Sequence, residues 1–284
     1  MKFVVSTVGR VRVEVLYFAF FKAICAKMRS RLYFFRLRGK ISVSQAARFN
    51  PGRKGGNAVK VTVFGDSIGK GVFTDGGKIE VLKENAVSLF EQWRGVKVDN
   101  KSGYGQSLKR TYEKGVIDRY IQSLDKTEEN IAVLELGGND ADFDWKEVAL
   151  SPEEAHFPKT RIEEFSGIYS EILKKLTAAG VRAIACTIVP ISSERYFENV
   201  IGKACDAEKV LEFFKGDVNT IHRHQEMFNN EILKNSYRAG VDVIDLRKQF
   251  LDTNEFESLI CRDGIHPNAT GHERIFEAVK AFAS

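Results

Sequence analysis

Five short runs rich in Val and Ile, at residues 60–65, about 95–100, 130–136, 181–189 and 241–246, alternate with stretches whose apolar residues recur at helical spacing. Short, near-continuous apolar runs read as strands buried on both faces, which is how parallel strands read. One helical stripe is Ile79, Leu82, Ala86, Leu89, Phe90 and Trp93, and the next runs from Leu108 through Tyr112, Val116 and Tyr120 to Leu124. A third starts at Ile162, Phe165 and Tyr169, and a last one is Ile275, Phe276, Val279 and Phe282. Strand-helix alternation with right-handed crossovers predicts an α/β domain: a parallel sheet with helices on both faces.

In such sheets, ligands bind beyond the carboxyl ends of the strands, so residues just past those ends are the candidates for chemistry. The first run breaks off into Gly65-Asp66-Ser67-Ile68-Gly69, presenting Ser67 as a candidate nucleophile. The third ends in Gly137-Gly138-Asn139-Asp140, which puts an amide at the same edge. Ahead of the final helix, Asp263-Gly264-Ile265-His266 offers an acid and an imidazole on one loop. A serine hydroxyl needs a base to take its proton, the base needs an acid to fix its tautomer, and the oxyanion formed needs preorganised donors. Asp66 and Asp140 read as structural hydrogen-bonding groups of their turns. His222 and His224 are two apart on a predicted helix and face different ways, against a metal pair. His272, at the start of the last helix, reads as structural.

Gly65-Asp-Ser-Ile68 resembles the Gly-Asp-Ser-Leu block of the GDSL or SGNH hydrolases, with Ile in place of Leu. Asn100-Lys-Ser-Gly-Tyr-Gly105 is similar to the second block, Gly137-Gly-Asn-Asp140 to the third and Asp263-Gly-Ile-His266 to the fourth, in family order. The resemblance implies a three-layer α/β/α sandwich with a flavodoxin-like, five-stranded parallel sheet of order 2-1-3-4-5. It implies a serine esterase with the triad Ser67, Asp263 and His266, an oxyanion hole of the Ser67 N–H, the Gly105 N–H and the Asn139 amide, and no metal or organic cofactor. Gly103, two residues from Gly105, is an alternative backbone donor. The expected substrate is a small-molecule or lipid ester: a lysophospholipid, acylated sugar, thioester or short ester.

The nucleophile elbow of α/β-hydrolases also contains Gly-x-Ser-x-Gly, but its histidine lies far beyond the acid, and a His-Gly-Gly-Gly loop precedes its serine. Neither feature is present. A P-loop is excluded because Gly71 stands where Ser or Thr would hold Mg²⁺ and the glycines are one residue too close. The alternative of another class is a catalytically silent α/β binding module.

Charge divides the chain. Residues 1–55 hold 13 Lys or Arg and one acid, Glu14, whereas the remainder holds 30 basic and 37 acidic residues. The first stretch reads as a basic, aromatic-rich arm and linker with an anionic partner, and residues 56–284 as the hydrolase domain. The arm's Tyr, Phe and Arg residues suit an amphipathic helix from about Val13 to Leu37, either at an anionic membrane surface or packed on the domain. Ser42 to Arg48 resembles the start of a helix-turn-helix, but no recognition helix follows before Pro51, so no nucleic-acid partner is expected. Val15 to Phe21 is too short to span a bilayer and lacks a cleavage site. Cys25, Cys186, Cys205 and Cys261 are far apart in sequence and without Cys-x-x-Cys spacing, which reads as reduced thiols and a cytoplasmic protein, peripheral to the membrane if the arm binds lipid. The segments Ala141–Lys159 and Ile191–Val218 exceed ordinary connections and are expected to wall a substrate pocket.

Overall fold

The computed structural model describes residues 58–75 and 78–284. The basic arm, residues 1–55, with the helix and membrane expectations attached to it, lies outside them. Strands β1 (Val59–Gly65), β4 (Val98–Asn100), β5 (Glu129–Glu135), β6 (Arg182–Cys186) and β7 (Asp242–Ile244) form one parallel sheet in the order β4-β1-β5-β6-β7. Counted along the chain, that is the 2-1-3-4-5 order expected. The register sets Val61 beside both Val98 and Ile131, and β1 is buried on both faces from Val61 to Gly65. Strands β2 (Val72–Asp75) and β3 (Lys78–Val81) pair separately as an antiparallel hairpin.

The main helices are α1 (Ser67–Lys70), α2 (Ala86–Arg94), α3 (Leu108–Glu113), α4 (Val116–Gln122), α5 (Trp145–Leu150), α6 (Ile162–Ala178), α7 (Ala207–Phe213), α8 (Thr220–Ala239) and α9 (Ala269–Ala283). One face of the sheet carries α3, α4, α6 and α8 over a core including Phe64, Leu108, Phe165, Tyr169 and Phe228. Across the other face α2 packs on α9, with Trp93 edge-on to Phe276 at 6.1 Å. At about 1.5–3 kcal/mol for each large apolar side chain fully buried, these layers are the main source of stability.

Two helical expectations are corrected. The stripe beginning at Ile79 is helical only from Ala86, because Ile79 pairs with Thr74 in the hairpin and Asn85 caps α2, accepting the N–H groups of Val87 and Ser88. The stripe from Leu108 to Leu124 is two helices, since Gly115 turns left-handed between α3 and α4. The fourth strand is also shorter than 181–189, its ladder ending at Cys186. Among the described residues no helix is long and apolar enough to cross a membrane, and Cys186, Cys205 and Cys261 are free thiols.

Candidate active site

Ser67 opens α1 at the carboxyl end of β1, where Asp66 caps the helix by accepting the Ile68 N–H on Oδ1 at 2.8 Å. The turn rests on a second buried carboxyl group. Glu135, the last residue of β5, accepts the N–H groups of Asp66 and Gly69 on Oε2 at 3.3 and 3.0 Å. A Cβ at Gly65 would lie 2.7 Å from that oxygen and 2.6 Å from Ser102 Oγ, so glycine is what lets the two strands' ends approach. Burial, with the neighbouring Asp66 charge, pushes Glu135 well above the usual carboxylate range; burial likewise pushes Asp66 up to about 6, against the Ile68 N–H that favours its ionised form.

The loop before α9 brings the acid and the base to this serine. Asp263 Oδ1 accepts the N–H groups of Ile265 and His266 at 2.9 and 3.1 Å, which folds the loop back on itself. Its Oδ2 lies 2.6 Å from His266 Nδ1, and His266 Nε2 lies 2.9 Å from Ser67 Oγ. Burial works to raise the Asp263 carboxyl, but the His266 hydrogen bond and charge and the two backbone N–H groups outweigh it and hold the group at about 2. A carboxylate facing Nδ1 keeps the neutral ring's proton there and leaves Nε2 to accept from the serine. Thr74 Oγ1 also donates to Asp263 Oδ2 at 2.8 Å, tying the β2-β3 hairpin to the acid. Gly264, between acid and base, has φ 78°, and a Cβ there would meet Tyr196 N at 2.5 Å and Ser192 O at 2.6 Å.

Ser67, Gly105 and Asn139, the expected oxyanion donors, line one cavity. Asn139 Nδ2 lies 3.0 Å from the Gln106 carbonyl oxygen and 3.3 Å from Asp66 Oδ2, so the amide nitrogen is fixed toward the serine turn. Gly105 lines the cavity in front of Ser67, whereas the Gly103 N–H donates to the Gly65 carbonyl at 3.2 Å. That engagement favours Gly105 over Gly103. Asp140 stays structural, accepting the Leu108 and Lys109 N–H groups at 2.7 and 3.1 Å at the start of α3.

The cavity above Ser67 measures about 330 Å³ and is walled by Phe143, Trp145, Tyr196, Val200 and Phe214 from the two long segments. Both segments were expected to form this wall. They pack on each other through a second apolar cluster that includes Phe143, Trp145, Tyr196 and Phe214. Asp142 holds it together, accepting from Trp145 Nε1 at 2.9 Å and the Tyr196 hydroxyl at 2.8 Å. His224 lines the cavity with its ring 5.0 Å from Phe143, while His222 turns away to Arg247, Nε2 lying 3.3 Å from a guanidinium nitrogen. His272 is fully buried with Nδ1 accepting from the Ala86 N–H at 3.4 Å. Among the described residues no group of three or more His, Cys, Asp or Glu is arranged to hold a metal ion.

Sequence reasoning passed over Thr74, Glu135 and Gly264. Glu135 did carry a signal, being the one charged residue inside the apolar run Ile131–Leu136. Thr74 carried none, because its partner lies 189 residues away.

A family model described as GDSL-like Lipase/Acylhydrolase family matches residues 63–274. No curated protein sequence matches the chain significantly. Among solved structures, an acetyl xylan esterase variant from Geobacillus stearothermophilus superposes with a TM-score of 0.55 at 16% identity, covering 81% of this chain and 96% of that one. A hydrolase from the metagenome of Lake Arreo, Spain, gives 0.54 at 18% identity, over 80% of this chain and 96% of that one. A lipase/acylhydrolase from Enterococcus faecalis gives 0.53 at 16% identity, over 78% and 93%. At these identities the likeness is one of fold.

Proposed function

The chain belongs to the GDSL-like lipase/acylhydrolase family, a family of ester hydrolases, and on that premise we propose that it cleaves carboxylic esters through an acyl-enzyme on Ser67. The observation that carries the reading is the line from Asp263 Oδ2 through His266 to Ser67 Oγ, 2.6 and 2.9 Å, at the floor of an apolar-walled cavity. Ser67 Oγ attacks the ester carbonyl as its proton passes to His266 Nε2; Asp263 stabilises the imidazolium. The imidazolium then gives that proton to the leaving alkoxide. Water, deprotonated by the same nitrogen, attacks the acyl carbonyl; the acyl–Oγ bond breaks, Ser67 Oγ takes that proton back from His266, and the carboxylic acid leaves. The oxyanion is held by the N–H groups of Ser67 and Gly105 and by the Asn139 amide, which turns one of its engaged protons to the new charge.

The cavity's apolar wall suits an acyl group. Its about 330 Å³ is at the small end of ligand pockets, which favours a short or medium acyl chain over a long one. A fluorophosphonate probe, which phosphonylates activated serines, tests the reading directly. It should label the wild type at Ser67 and leave Ser67→Ala unlabelled, with hydrolysis of p-nitrophenyl esters falling by about 10³-fold or more in Ser67→Ala and His266→Ala. Labelling at a different serine would overturn the assignment.

The arm supports a second element of function. Its 13 basic residues against one acid, interleaved with Tyr17, Phe18, Phe20, Phe21, Tyr33, Phe34 and Phe35, suit reversible binding to an anionic membrane surface.

A further inference from the structure

Tyr104 stands beside the proposed general acid and is more than half exposed, at 56%. Its ring lies nearly parallel to His266, 15° from coplanar with centroids 6.4 Å apart, and it lines the cavity mouth. The backbone beneath it is fixed at both ends. The Gly103 N–H donates to Gly65 O at 3.2 Å, the Gln106 N–H donates to Gly103 O at 3.2 Å, and Asn139 Nδ2 donates to Gln106 O at 3.0 Å. Gly105, at φ 62°, completes the turn. A large aromatic ring is thus exposed on a turn pinned to the serine's strand and to the candidate oxyanion amide.

The chemistry decides which half of the substrate meets this ring. His266 Nε2 must deliver its proton to the leaving oxygen, so the alcohol part lies against the imidazole. The acyl part takes up the remainder of the cavity, whose lining includes Phe143, Trp145 and Phe214. A flat aromatic face carried on a pinned turn, with only two side-chain torsions and amphipathic at its hydroxyl edge, binds flat partners at low entropic cost.

Resting on the esterase reading above, we infer that Tyr104 is the platform for the leaving alcohol, and that the preferred substrates are esters of ring-bearing alcohols, a sugar or an aryl ring lying against the Tyr104 face. An acyclic alcohol, such as the glycerol part of a lysophospholipid, offers no flat face to this site.

The test holds the acyl group constant and varies the alcohol: ethyl acetate, phenyl acetate and a monoacetylated methyl xyloside, each with wild type, Tyr104→Ala and Tyr104→Phe. Comparing variant with wild type on one substrate cancels the intrinsic reactivity of its leaving group. Tyr104→Ala should lose about tenfold in kcat/KM on a ring-bearing acetate, mostly through KM and at least about fivefold more than on ethyl acetate, with Tyr104→Phe restoring it. Loss on the xyloside alone assigns a sugar, and loss on phenyl acetate alone an aryl alcohol. Equal losses on all three esters, or none on either ring-bearing ester, would overturn the inference while leaving the esterase intact. A wild type that hydrolyses none of them and takes no fluorophosphonate at Ser67 would instead remove the esterase reading itself.

Discussion

Asn139 and Asp66 share a hydrogen bond, Nδ2 to Oδ2 at 3.3 Å, that joins the candidate oxyanion amide to the residue directly before the candidate nucleophile. The second amide proton goes to Gln106 O at 3.0 Å. Both protons being engaged, an oxyanion has to displace one, and the longer contact to Asp66 is the weaker. Asn139→Ala should therefore lower kcat by about 10² to 10³ with a smaller change in KM. An effect confined to KM in steady-state kinetics would make Asn139 a substrate-binding residue instead.

Asp263 holds His266 and is itself held by Thr74, at 2.6 and 2.8 Å on the same Oδ2. Asp263→Asn should keep the fold and mis-set the His266 tautomer, costing about 10³ or more in kcat. Thr74→Val removes one hydrogen bond to the carboxylate and should cost roughly tenfold. Near-normal turnover of Asp263→Asn would mean that another acid orients the imidazole.

Gly264 sits at φ 78° with Tyr196 N and Ser192 O filling the space of a side chain. Gly264→Ala should destabilise the protein by roughly 1–3 kcal/mol and lower activity further, by shifting Asp263 and His266 apart. A thermal melt unchanged from wild type would contradict the packing around this loop.

His272 gives stability a pH dependence of known sign. Burial first, then the nearby His266 charge, lowers its folded-state value to about 4 from the ordinary 6.5. The unfolded chain then binds the proton that the folded protein refuses, so stability falls as pH drops from about 6.5 to about 4, by roughly 3 kcal/mol in all. Asp66, raised to about 6 from 3.8, works the other way: its contribution is full below about 3.8 and is lost as pH rises through about 6. Asp263, near 2, stays ionised throughout this window. The clean measurement is therefore the difference in urea unfolding free energy between wild type and His272→Gln at pH 7 and pH 4. That difference should move against the wild type at the lower pH; a constant difference would mean that His272 titrates normally.

Deleting residues 1–55 should leave hydrolysis of a small soluble ester nearly intact and abolish co-sedimentation with anionic vesicles at low salt, since surface attraction is worth about 1 kcal/mol per basic residue. Vesicle binding that survives the deletion would reject a membrane role for the arm. A lowered melting temperature would point to an arm packed on the domain.

The sequence by itself determined the fold class and singled out Ser67, Asn139, Asp263 and His266. Val- and Ile-rich runs alternating with helical stripes leave little but a parallel sheet between helices, and such a sheet collects the loops carrying Ser67, Asn139 and His266 at one edge. Local pattern could not see the hairpin that stops α2 from starting at Ile79, because a strand pairs with a neighbour rather than with itself, and Ile79 suits either partner. Nor could it see Thr74 against Asp263, Glu135 under the serine turn, or Tyr104 beside His266. Each is a contact between segments far apart in the chain, made when the strands' carboxyl ends are brought within hydrogen-bond reach. Tertiary structure decided those contacts, and with them how firmly the serine turn is held and which face of the site is left open to substrate.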